Sequence, residues 1–462
     1  MADGRWSMVN GNDSAAGSPR FGRPPFTIHH YPLPHPASYF SGSPTPDRPM
    51  RRALPFVLVT ALAACADAGG DANQPTVTDS AGIAIVQHGA QAWERAPMWA
   101  LSAEPLAVIG GDPNDTTIDL SNSQVGTILD DGRIIAASME PPQMYVFAAD
   151  GSSQRPLGRG GEGPGEYRFL SALLPLGGDT LAAYDLFTRR AMMFDIDGEA
   201  LEPVQFPMSG SMIPPLLSAR LNGNVWLFQL INPMAEPPSD ASGIYRVDAP
   251  VFTWRDGQEA LDTLFMVKGP SLVKGVFEMG GQSIQMGRAA GYGANSFVGG
   301  HGDVIWSTSG EQFTLTARDT SGAVRREVRL GMAPRVVSES DKEAFKEALR
   351  AQWEFARSMG APPQFIEAEL AKVDETEFAV NRPAIGLMVV DRLGRVWVTP
   401  DAPQVDSTLT YGVFSPEGNL LGKVQLPKGS LFAANADRVV VRREDEETGL
   451  VRLEVWGLQQ DQ

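Results

Sequence analysis

The 462-residue chain has one cysteine, five histidines and no apolar run of 18 residues. A lone cysteine excludes a disulfide framework and any cysteine-cluster metal site. The lack of long apolar runs excludes a polytopic helical membrane protein. Positive charge is scarce as well: 38 Lys and Arg stand against 55 Asp and Glu, a formal net charge of −17. Such a chain has little to attract phosphates, which argues against nucleic acid as a partner. Gly (48) and Pro (36) are abundant, above ordinary usage but below the level of a wholly disordered chain.

The amino end differs from the rest. Residues 1–49 hold nine prolines and three of the five histidines (His29, His30, His35) and show no apolar period. Such a stretch cannot bury enough surface to offset its ordering entropy, so it reads as a disordered leader. Met50-Arg51-Arg52 then precedes twelve mostly apolar residues, Ala53 to Ala64, and Cys65. Two cations, a short apolar stretch and small residues before a cut site form a secretory signal over 50–64. Leu62-Ala63-Ala64-Cys65 resembles the bacterial lipobox, and that resemblance implies lipidation of Cys65 with cleavage before it. On this reading Met50 is the functional start. Ala66 after the cysteine leans toward the outer membrane. Removing residues 1–64 leaves 32 cations against 52 anions, or −20. Residues 65–79 read as a tether.

From residue 80 the dominant pattern is strand. Short β-branched or aromatic runs alternate with Asp-Gly, Gly-Asn and Gly-Gly turns. One phrase recurs at Asp131-Gly132-Arg133-Ile134, Gly178-Asp179-Thr180-Leu181, Asn222-Gly223-Asn224-Val225, Gly302-Asp303-Val304-Ile305, Leu393-Gly394-Arg395-Val396 and Ala436-Asp437-Arg438-Val439. The short intervals between copies match a four-stranded propeller blade. Six copies predict an all-β chain, a six-bladed β-propeller over 80–458, with a sandwich or tandem β domains as the competing fold. The first strands, near Ile83–Val86 and Leu106–Ile109, are expected to complete the last blade. Residues 338–376 break the pattern. Ser338 or Ser340 caps a helix, with Glu343 closing a capping box on Ser340, and Phe365 to Val373 forms a second helix. This predicts a helical-hairpin insertion, read as packing on a neighbouring blade, with a lid or docking arm as the functional alternative. The Gly- and Met-rich stretch Val267–Ser296 is expected to be a long loop.

The chemistry-bearing residues are few. His88 and His301 cannot build a three-histidine zinc site, and each reads as a surface or hydrogen-bonded core histidine. No GxSxG elbow is present. Gly158-Arg159-Gly160-Gly161-Glu162-Gly163-Pro164-Gly165-Glu166-Tyr167 is the most distinctive string. It is neither a P-loop nor a Rossmann turn, because no Gly-Lys-Ser/Thr closes it and Pro164 and the flanking strands do not suit it. Its glycines supply turns and close backbone approach. The functional alternative is a binding loop presenting Arg159, Glu166 and Tyr167. Glu444 to Glu447 and the acids at Asp112, Asp115 and Asp119 read as solvated turns, with calcium as the alternative occupant.

The glycine string, followed by Leu181 to Asp185, Arg190 and Phe194-Asp195-Ile196-Asp197-Gly198, resembles a family of bacterial secreted six-bladed β-propellers related to NHL-repeat proteins. Pro383-Ala384-Ile385 and Val390-Asp391 to Trp397-Val398 resemble its late-blade phrase. Tyr167 stands where the family has Phe. The family implies lipoproteins or cell-surface proteins whose relatives bind partners on a disc face. The zinc lyase branch of the broader group is not carried over, for want of histidines. The expected function is therefore a lipid-anchored cell-envelope module that binds a protein, peptide or glycan, with no cofactor. The alternative is a propeller hydrolase or lyase holding calcium through channel carboxylates, with Asp185, Asp195 and Asp391 as candidates.

Overall fold

The computed structural model describes residues 74–114, 117–120, 122–139, 141–152, 154–177, 179–279, 282–358, 361–400, 408–445 and 448–460. The leader, the signal, Cys65 and residues 66–73 of the tether lie outside the described residues, as do Asp115, Glu446 and Glu447. The fold is mostly strand, arranged as many small antiparallel sheets with few helices.

The first sheet runs Ser123–Ile128, Ile134–Met139, Pro142–Phe147, Gln154–Pro156. The second runs Leu170–Pro175, Thr180–Asp185, Arg190–Asp195, Ala200–Gln205, and the third Leu216–Leu221, Val225–Gln229, Asp248–Trp254, Asp262–Lys268. The fourth is Phe297–His301, Val304–Thr308, Thr314–Arg318, Val324–Leu330, and the fifth Leu387–Val390, Val396–Thr399, Thr410–Phe414, Leu420–Gln425. The sixth group is Ser430–Ala434, Arg438–Glu444, Val451–Gln459 and, from earlier in the chain, Ala107–Gly110. Met98–Leu101 pairs with both Leu420–Gln425 and Val451–Gln459 and so joins the fifth and sixth groups.

The core lies between these sheets. One apolar cluster joins the first sheet to the second (Met144, Tyr167, Leu181, Phe194) and another the second to the third (Tyr184, Phe206, Trp226, Trp254). Others join the third to the fourth (Leu221, Leu227, Ile305), the fourth to the fifth (Trp306, Leu315, Val396, Phe414) and the fifth to the sixth (Trp397, Tyr411, Val439). The last joins the sixth back to the first (Ile134, Phe147, Val440, Leu453). At that closure Gly126 lies against the Phe432 ring, which would have to shift for any larger residue, since a Cβ there would lie 1.9 Å from it. Trp226, Trp306 and Trp397 sit at matching second strands and are all but fully buried. Each contributes on the order of 2–3 kcal/mol through burial. The arrangement is propeller-like: thin sheets, each covered only by its neighbours.

Several expectations are corrected. Ala107–Gly110 does join the sixth group, but Ile83–His88 pairs in parallel with Val324–Leu330 of the fourth sheet. There it buries Val86 beside Leu315 and Val328. Thr76–Ser80 pairs outside it, so residues 76–79 are strand rather than tether. The stretch 267–296 contains a two-stranded hairpin, Leu272–Met279 with Gln282–Ala289. The helical insertion consists of Glu339–Ser358 and Pro363–Ala371. Ser338 caps the first helix, but Asp341 closes the box: the Asp341 amide donates to Ser338 Oγ and the Ser338 amide to Asp341 Oδ2 (2.9 Å). Among the described residues no helix is long and apolar enough to cross a membrane.

Candidate functional site

Antiparallel alternation places the first-to-second and third-to-fourth connections of the first five sheets, and the first-to-second connection of the sixth group, at one strand end. All of these are short; the longest spans residues 255–261. At this end polar side chains tie neighbouring sheets together. Arg133 pairs with Asp179 (3.2 Å), and Asn222 donates to Asp303 (3.1 Å). Arg395 donates to the Asn435 carbonyl (2.6 Å), and Asn435 to the Leu129 carbonyl (3.2 Å). Arg392 of the fifth sheet reaches Asp130 of the first (2.8 Å).

The other end carries the long connections: residues 157–169, 206–215, 230–247, 269–296 and 331–386. It also carries exposed apolar side chains. Phe187 is 53% exposed and packs at a tilt against Phe169, ring centroids 5.0 Å apart; Met208 and Met212 are 65% and 95% exposed.

The glycine loop belongs to this end. Glu166 Oε2 accepts from the amides of Glu162 (3.0 Å) and Gly163 (2.8 Å), while Arg159 grips Oε1 at 2.6 Å. The Gly163 amide first, then the guanidinium, hold the Glu166 carboxyl below the usual carboxylate range. Gly158 adopts φ +69° at a point where a Cβ would meet the Gly165 carbonyl at 2.6 Å. Tyr167 is fully buried; its hydroxyl accepts from the Met144 amide (2.7 Å) and donates to the Leu157 carbonyl (2.8 Å). Burial pushes its phenol well above the ordinary value. The three expected loop residues thus divide. Arg159 is exposed, Glu166 shapes the loop from within, and Tyr167 is a strut that cannot touch a ligand.

The candidate channel carboxylates all accept hydrogen bonds within turns, Asp185 and Asp391 several each. Asp185 accepts from the amides of Arg168 (2.6 Å), Phe187 (3.0 Å) and Thr188 (3.1 Å). Asp195 accepts from the Asp197 amide. Asp391 accepts from the amides of Leu393 and Arg395, from Arg395 Nε (2.6 Å) and from Trp397 Nε1 (2.8 Å). Among the described residues no three His, Cys, Asp or Glu groups stand close enough to hold a metal ion. His88 is buried, donates from Nε2 to the Gly418 carbonyl (2.8 Å) and packs edge-on against Phe414; burial lowers its pKa. His301 is exposed beside Gly394.

The helical insertion is fastened by residues that motif reading passed over. Arg382, nearly inaccessible, pairs with Asp341 at 2.5 Å and lies over the Tyr292 ring at 4.4 Å. Tyr292 in turn packs on Phe345 and Phe378. The Arg382 hydrogen bond holds the Asp341 carboxyl down at about 2. Only the Ser338 cap was visible locally; Arg382 is 41 residues from its partner and carries no spacing signal.

No family model matches the chain, and no curated protein matches it. Solved structures similar to it include a putative exported protein from Bacteroides fragilis NCTC 9343 (12% identity, 82% of this chain and 100% of that one, TM-score 0.44). A member of the DUF4221 family from Bacteroides vulgatus ATCC 8482 is 9% identical over 79% of this chain and 100% of that one, TM-score 0.43. A gluconolactonase from Xanthomonas campestris is 14% identical over 72% and 86%, TM-score 0.36. None of these likenesses bears on function.

Proposed function

We propose that the chain is a lipid-anchored cell-envelope β-propeller of six blades, closed between Ser430–Ala434 and Ser123–Ile128. It binds a protein, peptide or glycan through the long-connection end of its strands. Cys65 carries the anchor, with the outer membrane favoured by Ala66. The observation that carries the binding reading is the segregation of connections: every long one, together with exposed Phe187, Met208 and Met212, falls at one strand end. Exposed apolar clusters rimmed by polar groups mark interaction surfaces. The calcium-dependent enzyme is the weaker reading, because Asp185 and Asp391 already accept three or more hydrogen bonds each.

Capture of envelope partners tests the reading, using the chain with Cys65→Ser and a further substitution at either end. Phe187→Asp with Met212→Asp should abolish capture, and Leu393→Asp in a short turn should leave it intact. The reverse pattern overturns the assignment. A stoichiometric ion in the purified protein would instead favour the enzyme. A mature amino terminus at Cys65 with the mass of its acyl groups tests the anchor.

A further inference from the structure

The insertion 331–386 bears a groove of about 550 Å³ between the helix Glu339–Ser358 and the extended chain 376–380. Val337, Phe378 and Ala379 line it, with Val336 and Val380 at 65% and 78% exposure. Lys342 and Lys346 also line it, paired with Glu339 (2.6 Å) and Glu343 (3.0 Å) on their own helix. Exposed apolar carbon beside paired ammoniums and carboxylates matches the boundary between zwitterionic headgroups and acyl chains.

A second, independent observation comes from where the chain enters the fold. Thr76 is level with Gln87, and His88 is level with Leu330 in the next strand. The Gly331 amide donates to the His88 carbonyl. The entry of the chain therefore lies two strand spacings, about 10 Å, from the root of the groove-bearing insertion. Cys65 stands nine positions before Gln74. Nine residues span about 30 Å at full extension, whereas a domain of this length is roughly 50 Å across. An anchor at Cys65 keeps this edge of the domain within reach of the bilayer and leaves the far rim out of reach.

We propose that the groove lined by Val336, Lys342, Lys346, Phe378 and Val380 is a membrane-contact surface, seated on the zwitterionic lipid of the bilayer that holds Cys65. The domain is then fixed in one orientation instead of swinging on its tether. This rests on the lipid-anchor reading, and the test separates the two.

Cys65 is the only cysteine and is consumed by acylation, so Val380→Cys, Val336→Cys or Leu393→Cys each adds one free thiol at an exposed position. Each full-length acylated chain is nitroxide-labelled and reconstituted in phosphatidylethanolamine–phosphatidylcholine vesicles. Collisions with oxygen and with a water-soluble nickel chelate are then measured. The oxygen-to-nickel ratio should be several-fold higher at positions 380 and 336 than at 393. Equal ratios in a chain whose mass includes the acyl groups overturn the proposal and leave the anchor standing. A mass without acyl groups overturns the anchor, and the proposal with it. Shielding of position 380 that appears only on adding envelope extract assigns the groove to a protein partner and also overturns the proposal.

Discussion

The two strand ends of this molecule are built from the same sheets but obey different rules. At the short-turn end, side chains are committed: Asp391 and Asn435 accept from amides of their own turns, Arg395 donates to the Asn435 carbonyl of the neighbouring sheet, and Arg133 pairs with Asp179 of the neighbouring sheet. At the long-connection end the roots are fastened, through Tyr167, Asp185, Arg246 and Arg382, while Phe187, Met208 and Met212 stand exposed. Side-chain ties at one end hold the thin sheets to their neighbours, and the proposed function assigns recognition to the long connections at the other.

The comparison breaks most readily at Asp391. Replacing it by Ala strips buried Arg395 of its carboxylate and Trp397 of its acceptor, with both left away from water. Removing one partner of a buried pair costs about 3–5 kcal/mol, and urea unfolding should show that loss. A loss under about 1 kcal/mol would mean that the short-turn end is not the laced one.

Tyr167→Phe tests the root of the long-connection end. It leaves the Met144 amide and the Leu157 carbonyl buried without a partner, which costs about 1–3 kcal/mol. Thermal unfolding should place it between Asp391→Ala and any exposed loop substitution.

Acid sharpens the same contrast. The Asp341 carboxyl, held at about 2 against an ordinary 3.8, fastens the insertion through Arg382. The folded state binds this proton less readily than the unfolded one, so the linkage is fully present above pH 3.8. It is lost as pH falls from there toward 2. Amide exchange in Glu339–Ser358 should quicken across that window before the short turns respond, and simultaneous quickening would refute the division.

The turns were legible in the sequence because they are local. An Asp or Asn followed within three residues by Gly both caps and reverses the chain, and Asp391-Arg392-Leu393-Gly394 does so. The sheets followed from those turns. The parallel pairing of Ile83–His88 with Val324–Leu330 did not, because its partner lies over 200 residues away and nothing nearby in the sequence marks it. The hairpin 272–289 was hidden by Gly275 and Gly287, which interrupt the alternation that betrays a strand. The sequence leaves Tyr167 open between strut and binding-loop residue, because an aromatic after a glycine loop looks the same whether it points outward or, as here, into the core.

Arg159→Ala is the smallest effect and the closest control. Its side chain is 78% exposed, and its partner Glu166 keeps two backbone amides when the guanidinium is gone. An exposed pair of this kind is worth about 0–1 kcal/mol, so unfolding should shift by no more than that. Arg159 and Tyr167 are eight residues apart in one loop, yet the buried residue should matter to stability several times more than the exposed one. If Arg159→Ala instead matches Tyr167→Phe, the glycine loop is part of the lacing, and the free surface begins farther out.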